Sequence, residues 1–161
     1  MNIKDKGFRS ALGKFSTGVC LVSFFNENGA PIGITINSFA SISLDPQVIS
    51  WSIKKKSMCY GLFSGINNYA VSVLSKDQVG LSNRYAVSGD HIMDPAEYYI
   101  SDSGLPIVNN SISHFECNRW KDITVGDHDI ILGKVAGYAS ERDARPLVFF
   151  GGMYRGLECV T

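Results

Sequence analysis

Short β-branched and aromatic runs, each stopped by turn residues before reaching the length of a typical helix, are what most constrain this chain. Residues 19–25, 31–36, 48–53, 69–74, 112–120, 130–138 and 146–150 all read as strands on this pattern. Asn28-Gly29, between the first two, is the pair selected by type I′ hairpins, and Gly126-Asp127-His128-Asp129 turns the chain between the two longest runs. Asp45-Pro46 cannot continue a central ladder, so the polar run before it is read as a connecting loop. Helical signals are few. Phe8, Ala11, Leu12 and Phe15 share one face, with Asp5 as candidate N-cap and Gly18 as stop. Ser57 can cap a helix running toward Ile66, and the capping box Ser75-x-x-Gln78 opens another to about Ala86. Residues 88–110, punctuated by Gly, Asp and Pro, read as a long surface excursion. The expected fold is mainly β: a small Greek-key or split β-barrel with a few short helices, forming a single domain over residues 1–161.

Several classes of function fall away. Formal charge balances at zero and, apart from Lys54-Lys55-Lys56, the basic residues are scattered, which argues against a nucleic-acid or anionic-membrane footprint. No apolar run approaches a membrane span and no signal segment opens the chain, so a soluble, intracellular, cytoplasmic protein is expected. Cys20, Cys59, Cys117 and Cys159 are far apart and read as reduced, mostly buried thiols. His91, His114 and His128 are equally dispersed, no metal site is expected, and a satisfied structural role suits His114. Neither Gly-x-Gly-x-x-Gly nor a phosphate-loop motif occurs, so any nucleotide must bind in another way. With 45% hydrophobic residues and exposed sheet edges, burial of an apolar patch in a homodimer is expected.

The chemistry concentrates between Gly33 and Pro46, where an alternating apolar strand gives way to Thr35, Asn37, Ser38, Ser41 and Ser43. These groups donate and accept hydrogen bonds without formal charge, which suits an extended neutral or anionic ligand; a polar strand edge with an ordinary turn would use the same residues. Thr35 and Asn37 share strand parity and face one way, Ile34 and Ile36 the other. Lys54-Lys55-Lys56-Ser57 is either a phosphate site at a helix start or a solvated basic turn. His128 is conspicuous at a polar turn, and hydrogen bonding to Asp127 or Asp129 would account for it locally.

Taken in order, Phe15-Ser16-Thr17-Gly18-Val19, Gly33-Ile34-Thr35-Ile36-Asn37-Ser38-Phe39, Ser41-Ile42-Ser43-Leu44-Asp45-Pro46, Val71-Ser72-Val73-Leu74-Ser75 with Gln78, and Gly126-Asp127-His128 resemble the short-chain flavin reductases of the FMN-binding split-barrel fold. The resemblance covers nearly the whole chain. It implies an NAD(P)H-dependent reductase of FMN or FAD, with NADH or NADPH as hydride donor, that supplies reduced flavin to a partner monooxygenase. It assigns Thr35, Asn37, Ser38, Phe39 and Ser41 to the flavin cradle, and Ser52, Lys54 and Ser57 to the ribityl phosphate. His128 would orient the nicotinamide, with Tyr154 as a wall of the same pocket; Gly151-Gly152 lets the backbone bend close there. The chain also departs from the family. Met58-Cys59 follows Ser57 where relatives often carry a Ser-x-Thr phosphate clamp, so one hydroxyl is missing and lysine charge would compensate. Tyr85 stands where Phe is common, and Arg84 either reaches a phosphate or is simply exposed. Hydride transfer between stacked rings requires positioning rather than a catalytic triad. The alternatives are a flavin-binding protein without turnover, serving as sensor, store or electron-transfer partner, and an oxidase or oxygenase acting on another substrate in the same barrel. No arginine cluster marks the 2′-phosphate of NADP.

Overall fold

The computed structural model describes residues 3–140 and 143–157, with side chains described from Lys6 onward. Helix α1 (Ile3–Leu12) leads into β1 (Thr17–Gly18), β2 (Cys20–Phe25), β3 (Pro31–Ile36), β4 (Ala40–Leu44) and β5 (Gln47–Lys54). Then come α2 (Met58–Phe63), β6 (Asn68–Val73), α3 (Val79–Ala86), the short pair β7 (Tyr98–Ile100) and β8 (Pro106–Val108), and the long strands β9 (Ser113–Val125) and β10 (His128–Ser140). Strands β11 (Val148–Phe150) and β12 (Met153–Arg155) close the order. Seven strands form one antiparallel sheet in the order β3-β2-β6-β9-β10-β5-β4. β3 and β4 are neighbours in the chain yet lie at opposite edges of that sheet, so residues 37–39 have to cross the split between them. This crossing positions the polar stretch. β1, β11 and β12 make a second small sheet, and β7 pairs with β8. No helix among the described residues is long and apolar enough to cross a membrane.

Strand alternation builds the core. On β2, Cys20, Val22 and Phe24 face a cluster centred on Trp51, Phe63 and Tyr69, while Leu21 faces a second cluster with Leu74, Tyr85, Met93 and Leu147. Trp51, Phe63 and Tyr69 meet edge to face at centroid distances of 4.8, 5.5 and 5.9 Å, the arrangement favoured by ring quadrupoles. Gly133 is needed here because a Cβ would overlap the Tyr69 hydroxyl. Cys20, Cys59 and Cys117 are buried free thiols, and Cys159 lies outside the described residues. His114 is buried, with Nε2 3.6 Å from Glu116 Oε1.

Local structure departs from the sequence reading in several places. The run before Asp45-Pro46 is strand β4, paired with β5 and bulged near Ile42, and the hairpin closes through a cis Asp45–Pro46 peptide. Proline is tolerated because it lies in the two-residue turn, outside both strands. The loop after β2 spans five residues, since Phe25 pairs with Pro31. The Asn26 side chain organises it by accepting from the N–H groups of Asn28 and Ala30, and only Gly29 of the Asn-Gly pair has positive φ, so it is no type I′ turn. α1 includes Asp5 within the helix and ends at Leu12, well before Gly18. Its predicted inward face is open, with Phe8, Leu12 and Phe15 at 67%, 57% and 77% exposure. The 88–110 excursion is ordered: segment 91–93 lines the free edge of β3 through an Ile32–Ile92 bridge, and β8 is buried. His128 belongs to β10, because the turn is only Gly126-Asp127, with Gly126 at φ +57°.

Candidate functional site

A cavity of about 410 Å³ opens where the end of β3 and residues 37–38 face β5, α2, the end of α3 and the first residue of β10. That volume is within the range of small-molecule sites, roughly 300–1,000 Å³. Its polar lining comprises Thr35, Asn37, Ser38, Ser52, Lys54, Lys56, Ser57, Ser88, His91 and His128; Trp51, Ile53, Met58, Tyr85 and Val87 add apolar wall. Two lysines line it and no carboxylate does, so the site suits an anion.

Strand parity explains how the lysine run divides. Lys54 pairs with His128 and shares the cavity face with Ser52, while Lys55 turns away, donating to the Gly126 carbonyl at 3.3 Å and standing 3.6 Å from Asp129. Lys56 lines the cavity again. Ser38 Oγ accepts from the Ser52 N–H at 2.9 Å, tying the 37–39 crossing to β5. Ser57 Oγ donates to the Lys54 carbonyl at 2.8 Å and accepts from the Tyr60 N–H at 3.2 Å, capping α2. Asn37 is exposed at the cavity, and Ile34 and Ile36, although in the core, line the cavity as well, so strand parity does not keep them off it.

His128 Nδ1 lies 2.8 Å from Asp127 Oδ1, and that hydrogen bond, with Lys54 nearby, holds the Asp127 carboxyl below the usual carboxylate range. The local explanation of His128 and its place at the cavity rim are therefore both realised. Beneath it, buried Asp129 accepts from Tyr60 Oη at 2.7 Å and Thr124 Oγ1 at 2.8 Å, bonds that hold its carboxyl low.

The remaining expected residues lie apart from this cavity. Tyr154 borders a neighbouring cavity of about 180 Å³ that shares Thr35, Ile36, Asn37 and Ala86 with the first. A relay joins the two: Thr35 Oγ1 donates to the Ser82 carbonyl at 2.8 Å, and Ser82 Oγ lies 2.8 Å from Tyr154 Oη. Phe39 stacks on Phe115 at 5.5 Å, and Ser41 faces a third, mostly apolar cavity with Leu44 and Tyr138. Arg84 is paired with Glu97 at 2.9 Å.

His91 was not singled out by the sequence. It is 7% exposed, sits at φ +58° and lines the cavity floor, with Nδ1 2.9 Å from the Gly33 carbonyl and Nε2 3.3 Å from Cys59 Sγ. Burial pushes the Cys59 thiol up, so the sulfur keeps its proton. The missing hydroxyl at position 59 was the signal that could have pointed here.

The flavin reductase like domain profile matches residues 12–158. The FMN reductase (NADH) SmoA of Agrobacterium fabrum is 43% identical over 150 residues, covering 93% of this chain and 84% of that protein. The flavin-dependent monooxygenase reductase subunit HsaB of Rhodococcus jostii is 30% identical over 156 residues, covering 97% of this chain and 80% of its own. Among solved structures, the NADH:FAD oxidoreductase SgcE6 of Streptomyces globisporus, in complex with NAD and FAD fragments, matches with a TM-score of 0.89 at 28% identity, covering 98% of this chain and 96% of that one.

Proposed function

Because the chain belongs to the flavin reductase-like family, we propose that it is an NADH-dependent flavin reductase that supplies reduced flavin to a separate monooxygenase. The observation that carries this reading is the composition of the large cavity: hydroxyls and a carboxamide at the β3 end, Lys54 and Lys56 at the other, and no carboxylate in the lining. A flavin nucleotide has the matching polarity, a neutral polar ring system joined to an anionic phosphate. When bound, the flavin supplies the redox chemistry by accepting a hydride from the reduced nicotinamide.

The residues bind and orient. Thr35 and Asn37 form the wall between the two cavities, so a ring in the larger one and a second ring in the smaller would share their side chains. Asn37 and Ser38 face the flavin ring, with Ser52 beneath, and Lys54 and Lys56 hold the phosphate. Ser57, its hydroxyl committed to the α2 cap, acts by shaping the turn that carries the lysines. His128 orients the nicotinamide from the rim, and Tyr154 walls the smaller cavity. FMN and FAD are the flavins to compare, and NADPH is the second donor. The open face of α1 and the exposed Ile42 and Leu44 on edge strand β4 support a homodimer, and a cytoplasmic location fits this chemistry.

The test is an absorbance spectrum of the purified protein with FMN or FAD, followed by anaerobic addition of NADH or NADPH. Rapid bleaching of the flavin bands, faster than with free flavin, is expected. Flavin that binds tightly yet is not bleached would instead make the protein a flavin carrier or sensor.

A further inference from the structure

We propose that Ser82 is a positioning residue for the nicotinamide: it pins both walls of the smaller cavity and so sets how closely the donor ring lies against the flavin. The inference rests on the reading of the smaller cavity as the nicotinamide site and names what fixes its width.

Ser82 and Ala86 stand one turn apart on α3 and share a face of that helix. Ala86 lines both cavities, whereas Ser82 is fully buried and lines neither. Its two polar groups reach different elements. The Ser82 carbonyl accepts from Thr35 Oγ1 at 2.8 Å, and the Ser82 hydroxyl pairs with Tyr154 Oη, also at 2.8 Å. Thr35 belongs to β3 in the seven-stranded sheet, Tyr154 to β12 in the three-stranded one. A serine inside a helix commonly returns its hydroxyl to a carbonyl of the preceding turn; here it is engaged by a side chain of another sheet. One residue therefore ties the two sheets together beside the cavity that lies between them.

The Tyr154 ring is held at two points. Tyr154 pairs with Phe149 across the β11–β12 ladder, their ring centroids 5.5 Å apart and their planes at 66°, and both rings line the smaller cavity. An edge-to-face contact is favourable over a range of centroid separations, about 4.5–7 Å, so by itself it fixes the ring only loosely. The hydrogen bond at the far end of the ring sets the direction in which it points. The opposite wall is formed by Thr35, Ile36 and Asn37, and Thr35 is anchored on the same serine. Rings that exchange a hydride must face each other at about 3–3.5 Å, so a wall free to move by about an ångström loosens the donor ring. The groups that hold the flavin phosphate, Lys54 and Lys56, are carried by β5 and the turn after it, independently of this pin. Loss of the Ser82 hydroxyl therefore acts on the nicotinamide and spares the flavin.

The experiment compares the full chain, saturated with FMN, as wild type, Ser82→Ala, Tyr154→Phe and the double variant. Ser82→Ala should raise the KM for NADH about tenfold, the size of one hydrogen bond, while FMN affinity stays within about twofold. Tyr154→Phe removes the same hydrogen bond from its half-buried end and should do the same, which keeps the test open should Ser82→Ala fold poorly. The double variant should be no worse than either single one, because all three lack one and the same contact. Anaerobic mixing with NADH supplies a second readout: the transient long-wavelength charge-transfer absorbance of stacked nicotinamide and flavin, present in wild type, should weaken in all three variants. An unchanged KM and charge-transfer band in the single variants, losses that multiply in the double one, or equal losses of FMN and NADH binding would overturn the positioning role and leave the nicotinamide reading intact. Absence of any NADH-dependent reduction of FMN by wild type would overturn that reading, and this inference with it.

Discussion

The floor and the rim of the cavity each carry a histidine, and they are held in different ways. His91 is clamped at the floor by two backbone hydrogen bonds around it and by a ring contact to Gly33, and it is nearly inaccessible. His128 stands at the rim on the first residue of β10, with its side chain 43% exposed and Asp127 as its ring partner. A fixed ring has one direction of donation, here to the Gly33 carbonyl, so it shapes the floor. A half-exposed ring can follow a ligand that arrives and leaves, which suits a diffusing donor better than a resident group. Within one cavity, the core thus supplies a fixed shape and the turn supplies adaptability.

The most severe way to break this comparison is to remove the floor. Trp51 is fully buried between the cavity and the aromatic cluster, and Trp51→Ala is expected to cost about 3–5 kcal/mol in urea unfolding. An unchanged midpoint would mean that floor and core are separable. At the rim, His128→Ala should raise the KM for NADH about tenfold, leave flavin affinity almost unchanged, and alter stability by less than about 0.5 kcal/mol. Equal losses for both ligands would contradict its nicotinamide role. The smallest effect concerns what anchors the rim. Asp129 has its carboxyl held low by Tyr60 and Thr124, and a group depressed on folding stabilises above its unfolded value, near 3.9, and loses that contribution as pH falls through the folded one. Wild type should therefore exceed Asp129→Asn in stability by a constant margin from pH 8 to about 5, with the margin closing below about pH 4. A margin that persists in acid would assign the effect to shape rather than charge.

Rim and floor also differ in how far the sequence reveals them. His128, Lys54, Ser52 and Thr35 lie on strands, and Asn37 directly after one, whose period-two pattern and turn residues are readable locally, and the structure brings them to one cavity. His91 sits in a Gly- and Asp-rich excursion with no periodicity, and its significance arises from Cys59 and Gly33, which are remote in the chain. The hairpin character of β4 was hidden for a related reason. Whether Asp45-Pro46 ends a loop or an edge strand depends on which strand lies beyond it, and in this sheet none does. The exposed α1 face has the periodicity of a packed helix, but local pattern does not identify the surface that covers it.

Trp51 gives the molecule an internal optical reporter. The chain has two tryptophans: this one, buried in the wall of the large cavity, and Trp120, about half exposed on β9 with Lys134 Nζ 4.7 Å from its ring centroid. Their emission should separate by colour, the buried indole to the blue and the solvated one to the red. A chromophore entering the cavity would dim the blue component first, so occupancy of the site can be followed in the unlabelled protein.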